Sequence, residues 1–93
     1  HQIKLIDSAY TVKQAREVLF TLLNDKIRFL GVQILSIEER FGSNTEHMKT
    51  RIKELEAEKR QLKQQLDALQ NEESLLDVDC HINIQVKETA GLQ

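Results

Sequence analysis

Between residues 48 and 69 the apolar positions recur at alternating steps of four and three. They are Met48, Ile52, Leu55, Leu62, Leu66 and Leu69, with Lys59 in the one remaining position. That spacing is a heptad seam, and it predicts a long helix that pairs with another along one stripe. A second seam of the same period runs through Phe20, Leu23, Ile27, Leu30, Ile34, Ile37 and Phe41. Ala15, Val18, Leu22 and Phe29 form a further apolar group, displaced around the cylinder from that seam at about 100° per residue. The first helix is therefore apolar over more than a coiled-coil stripe and needs cover on two sides.

Local signals set the ends of these helices. Thr11 and Gln14 fit a capping box, which starts the first helix at residue 12 and carries it to 39. Gly31 costs on the order of 1 kcal/mol relative to Ala inside a helix. The seam stays in phase through it, which favours an unbroken helix over a strand at 32–35. Gly42 suits the left-handed residue that ends a helix. Ser43 and Glu46 fit a second capping box. Residues 40–44 then form a tight reversal in which Arg40 pairs with Glu46 or Glu39, and the second helix runs over 45–73. Glu56 with Arg60 and Lys63 with Asp67 place opposite charges four apart on its outer face.

At both ends of the chain the period drops to two. Ile3 and Leu5 share a face in the run QIKLID, which predicts a short strand at 3–6. Val78, Cys80, Ile82, Ile84 and Val86 lie on one face of a second strand, 78–86, and Asp79, His81, Asn83, Gln85 and Lys87 on the other. Residues 87–93 read as a frayed tail. The expectation is one domain over 1–93, of the α+β class. A long antiparallel helical hairpin is flanked by N- and C-terminal strands that pair antiparallel, in β-α-α-β order.

A two-stranded sheet is marginal in water, and the second face of the first helix is left without cover. Both point to self-association, most simply a dimer that joins strands into four and hairpins into a four-helix bundle. Val18, Leu22, Phe29, Ile82, Ile84 and Val86 are the candidate interaction residues. Glu39, Arg40, Gly42 and Glu46 are the candidate structural residues of the reversal.

The 93 residues carry a net charge of −2 with a pI near 5.9. No basic stripe and no aromatic platform for nucleic acid is present, because the six cations at 49–63 are interleaved with Glu54, Glu56 and Glu58. One cysteine, Cys80, forms no internal disulfide and fits a reducing, cytoplasmic setting. No apolar run reaches the length of a membrane span. The chain starts at His1 rather than Met, which leaves a preceding segment open.

Two groups carry residue types with chemistry. Asp77, Asp79, Cys80 and His81 are metal-ligand types. On a strand, however, Cys80 points away from the other three, and three ligands on one flat face need a fourth group from elsewhere. The second group is the hairpin tip, Glu38, Glu39, Arg40, Glu46 and His47, where carboxylates lie beside a histidine. A solvated strand face and an ion-paired reversal account for both sets more simply. No nucleophile elbow, P-loop or dinucleotide fingerprint is present. No catalytic, cofactor-binding or metal set is assigned.

The LID run at 5–7, NDKIRF at 24–29 and SIEERFG at 36–42 resemble a group of small bacterial proteins of unknown function. Where that group has Gly after LID, this chain has Ser8. The resemblance implies the same element order and a bacterial, cytoplasmic setting, and it implies no activity. The expected function is a non-enzymatic structural or protein–protein interaction module that self-associates through its hairpin and strand edges. The alternatives are a small metal- or ligand-binding protein, or an enzyme, using the polar strand face or the tip. An adaptor whose strand edge adds to a different protein is a third.

Overall fold

The computed structural model describes residues 1–42 and 44–87, with Phe41 described by its backbone alone. The elements are β1 (Gln2–Thr11), α1 (Val12–Phe41), α2 (Glu46–Asp67) and β2 (Leu75–Asn83). The fold is α+β in β-α-α-β order, with β1 and β2 in one antiparallel two-stranded sheet.

No connector separates β1 from α1. Thr11 is both the last strand residue and the helix N-cap, with extended φ and ψ of −66° and 162°. The Gln14 N–H donates to Thr11 Oγ1 at 3.1 Å, and the Thr11 N–H donates to Gln14 Oε1 at 3.0 Å. This is the capping box that the sequence predicts, and it satisfies two backbone donors that the first helical turn leaves open. Val12 and Ala15, directly behind it, have no exposed surface. The Val12 N–H donates to the Ser74 carbonyl at 3.1 Å, so the base of the hairpin is tied to the start of β2.

Beyond Val12 and Ala15 at its base, the buried apolar residues of the hairpin are seam positions: Leu30 and Ile34 on α1, Leu55 and Leu66 on α2. α1 continues unbroken through Gly31, which is exposed, and a Cβ built there meets nothing within 4 Å. The helix ends at Gly42, whose φ of 60° is left-handed and whose N–H donates to the Glu38 carbonyl at 3.2 Å. Glycine adopts that conformation without the steric cost a Cβ imposes.

The start of α2 falls elsewhere than the expected second capping box places it. Ser43 lies outside the described residues, and the N-cap position falls to Thr45, which makes no side-chain cap bond. Glu46 becomes the first helical residue, and its N–H donates to Asn44 Oδ1 at 2.9 Å. The far end also differs. α2 stops at Asp67 rather than 73, because Asn71 builds an Asx turn. Its Oδ1 accepts the Glu73 N–H and its carbonyl accepts the Ser74 N–H, both at 3.0 Å. That local bonding competes with the helix. β2 consequently begins three residues earlier than the alternation indicates.

β1 is longer than expected for a different reason. Asp7, Ser8 and Ala9 are poor strand formers, yet each pairs across the ladder, with Asp79, Val78 and Asp77. Cross-strand partners override weak propensity. The ladder also contains a bulge, since Lys4 faces His81 and Ile6 faces Cys80, leaving Leu5 as the extra residue. Ile3 therefore shares a face with Ile6, not with Leu5. Ile6 is buried and Leu5 is exposed, which reverses the pairing read from simple alternation. The inner face of the sheet pairs Ile6 with Cys80, Ser8 with Val78 and Tyr10 with Leu76.

The result is elongated, 53 Å in its longest dimension with a radius of gyration of 17.1 Å. A compact domain of this length has a radius of gyration near 12 Å. Both glycines give a direct test by urea unfolding at fixed protein concentration. Gly31→Ala raises stability by about 0.5–1 kcal/mol, since it removes backbone freedom and meets open space. Gly42→Ala lowers it by about 1–2 kcal/mol, the cost of a Cβ in the left-handed region.

Candidate functional site

The seam turns one side of α1 toward α2, and the residues opposite it along the helix are Val18, Leu22, Phe29 and Val32. Apart from half-buried Val18 they stand open: Leu22 is 39% exposed, Phe29 54% and Val32 62%, with Leu35 beside the stripe at 58%. Spacings of four, seven and three residues keep the stripe in line over four turns of helix. Its polar members are Asp25 and Lys26. Lys26 Nζ lies 5.4 Å from the centre of the Phe29 ring, a cation–π contact that positions the ring on the surface. Asp25 Oδ1 lies 3.7 Å from the Arg28 guanidinium. Asp25, Lys26 and Arg28 thus put both signs of charge at the middle of an apolar face.

A groove adjoins this face. Leu19, Leu22 and Leu23 line it from α1 and Leu62 from α2, with Gln61 and Gln65 along the rim. It continues toward the sheet past Leu66, Leu69, Leu76 and Val78, a stretch of about 550 Å³ that Asp77 and Asp79 also line. The opposite flank of the hairpin has a smaller recess around Ile27 and Lys59, with Asn24, Glu56, Arg60 and Lys63. Lys59 is half-buried there. The stem of a lysine covers apolar surface while its amine stays in water, so a heptad position is filled without closing the seam.

The other predicted interaction residues, Ile82, Ile84 and Val86, are exposed, as is Ile3 opposite Ile82. The Ile84 N–H donates to the His1 carbonyl at 2.8 Å, so pairing extends beyond the last assigned strand residue. The sheet thus runs past the part that the helices cover. Its outer face carries Asp77, Asp79 and His81 together, with Cys80 on the other side, as the alternation predicts. Asp79 faces Asp7 and His81 faces Lys4 across the ladder, and Lys4 Nζ bonds Asp7 Oδ2 at 3.1 Å. Among the described residues, no group of three or more His, Cys, Asp or Glu is placed to hold a metal ion. No described helix is long and apolar enough to cross a membrane.

The hairpin tip is built around Glu38. Its Oε2 accepts the Thr45 hydroxyl at 2.6 Å and pairs with Lys49 Nζ at 3.0 Å, joining the end of α1 to the start of α2. Thr45 is 2% exposed, so this bond satisfies a buried hydroxyl. Lys49 also lies 3.7 Å from Glu46. Glu39, Arg40 and His47 are exposed around it, and Gly42 makes the turn. Sequence reading found Glu38 in the acidic cluster but missed Thr45 and Lys49. Their signal is weak, because a threonine before a helix reads first as a cap.

The base has a matching clamp. Half-buried Arg16 pairs with Asp67 at 2.6 Å and with Glu72 at 3.3 Å, and Lys63 reaches Asp67 at 2.7 Å. Val32, Leu35 and Leu19 were also missing from the predicted surface. Val32 continues the stripe three residues beyond Phe29, a signal that a longer heptad count captures.

Comparison with protein-family models, curated proteins and solved structures gives no match to this chain. The resemblance of its short runs therefore carries no family assignment.

The two clamps make stability depend on acid. The Thr45 hydroxyl, and then Lys49, hold the Glu38 carboxyl below its ordinary value of 4.5. Lys63, and then Arg16, hold Asp67 below 3.8. In both cases the unfolded chain takes up the proton first. The stabilisation is therefore full above the ordinary values and is lost as pH falls through the lowered ones. Urea unfolding between pH 7 and pH 3 is expected to show stability falling below about pH 4.5. The double variant Glu38→Gln and Asp67→Asn starts lower at pH 7 and falls less steeply; an unchanged acid slope contradicts the role of the clamps.

Proposed function

We propose that this chain is a non-enzymatic structural or protein–protein interaction module that self-associates, most simply as a dimer, through the outer face of its helical hairpin and the edges of its sheet. The observation that carries this reading is the uncovered apolar face of α1. Scattered exposed leucines are ordinary, whereas a continuous stripe on a helix is the mark of an interaction surface.

Surface area supports it. The chain exposes 7542 Å² at 10.8 kDa. A compact monomer of that mass exposes about 5,500 Å². The excess, about 2,000 Å², is larger than the roughly 800 Å² that each partner contributes to a standard interface. The sheet adds to this, because two strands leave two edges, each with unpaired N–H and C=O groups. A reducing, cytoplasmic setting fits the single, half-buried thiol of Cys80.

Light scattering on a size-exclusion column, over a hundredfold range of concentration, tests the proposal. A mass of two chains or more is expected. Leu22→Asp combined with Phe29→Asp alters only exposed positions; it lowers the mass to one chain and, because the apolar face then lacks its cover, lowers the urea midpoint with it. A wild-type mass of one chain at every concentration overturns the reading.

A further inference from the structure

We infer that the free edge of β2 pairs with the same edge of a second copy, antiparallel about a two-fold axis at Cys80, so that two sheets become one of four strands. This inference rests on the self-association proposed above and assigns the strand edge and its register.

The backbone selects the edge. β1 carries a bulge at Leu5 beside Lys4, and bulges and lysines both blunt an edge against pairing. β2 runs without interruption over Leu75–Asn83. The Ser74 carbonyl accepts the Val12 N–H, and Ile84 exchanges hydrogen bonds with His1. Even-numbered residues of β2 therefore direct their backbone groups to β1. Residues 75, 77, 79, 81 and 83 direct theirs to the other edge, where no backbone hydrogen bond forms among the described residues. A partner strand pairs there odd residue to odd residue. About a two-fold axis, only the antiparallel direction keeps the apolar faces of both sheets on one side.

The side chains select the occupant and the register. Within the chain, Asp79 faces Asp7 and His81 faces Lys4, so neither meets its complement across the ladder. Among the described residues, neither side chain makes a hydrogen bond or ion pair. With Cys80 on the axis, each Asp79 lies opposite the partner's His81, whose imidazole donates to the carboxylate. The two Asp79 carboxylates are then diagonal, each with a histidine on either side. Centring the pair on Asp79 or His81 opposes that residue to itself, and centring it on Val78 opposes Asp77 to Asp79. Like charges directly opposite are destabilising. The same register sets Val78 against the partner's Ile82 and Leu76 against the partner's Ile84. Leu76 and Val78 line the groove with Leu66 and Leu69, and no described β1 residue does, so the groove opens on this edge. The exposed Ile82 and Ile84 of each copy thus enter the groove of the other.

The single cysteine reports the axis. Opposed residues that share no hydrogen bond have Cα atoms about 4.5 Å apart, within disulfide reach, and Cys80 meets its own copy in that way. Copper phenanthroline, which takes two electrons as two thiols lose their protons, is expected to link wild type into a covalent dimer under native conditions but not in concentrated urea. In a Cys80→Ser background, Val78→Cys and Ile82→Cys each lie about 14 Å from their own copies, four residues out of register. They link only when the two variants are mixed. His81→Asp, at an exposed position, weakens association about tenfold, and adding Asp79→His restores it. Light scattering on the same samples reports their mass. A dimer whose Cys80 stays unlinked, in which Ile82→Cys links to itself, or whose affinity His81→Asp leaves unchanged overturns this edge and register while self-association stands. A monomer at every concentration overturns both.

Discussion

A single helix with two apolar faces is the constraint on which this structure depends. α1 turns one face to α2 and buries Leu30 and Ile34 there. Its opposite face presents Leu22, Phe29 and Val32, and among the described residues no third helix covers it. The sheet does not substitute. It joins the hairpin at its base, through Val12 and Ala15, and extends away past Ile3, Ile82 and Ile84. A domain normally buries each apolar face between two layers. Among the described residues no second layer covers that face of α1, and self-association supplies it in our reading.

The polar residues then act mainly to hold that arrangement in one register. Glu38 joins Thr45 and Lys49 at the tip, and Arg16 joins Asp67 and Glu72 at the base. These clamps sit at opposite ends of the hairpin, so sliding one helix along the other breaks both. Exposed ion pairs are individually weak, but their geometry still selects one alignment from several that a leucine-rich seam accepts. Lys59 has the same effect in the middle of the seam, where it leaves a recess instead of a packed apolar layer.

Much of this was legible in the sequence, because strongly periodic patterns dominate it. The two heptad seams, the Thr11 and Gln14 box and the left-handed Gly42 each correspond to one physical requirement and appear where expected. The failures have physical causes as well. The bulge at Leu5 inserts one residue and exchanges the faces of β1, and a period of two has no means of signalling an insertion. The Asx turn at Asn71 ended α2 early, since its bonding outweighed residues that are acceptable in a helix. β1 reached Thr11 through weak strand formers, because the partner strand, distant in sequence, supplied the pairing. For the surface, Leu22 and Phe29 were readable as apolar positions off the seam. Their openness was not, because it depends on where the sheet goes.

The central claim is that the folded chain relies on apolar cover from outside itself. The most direct measurement is the urea midpoint of unfolding as a function of protein concentration. If association supplies the missing cover, the midpoint rises with concentration, since unfolding then includes dissociation. The loss of the helical signal should coincide with the loss of dimer mass. A midpoint that stays constant over a hundredfold range, with full helix content in a monomer, contradicts the account. The hairpin and its sheet would then be stable alone, with the stripe on α1 left in water.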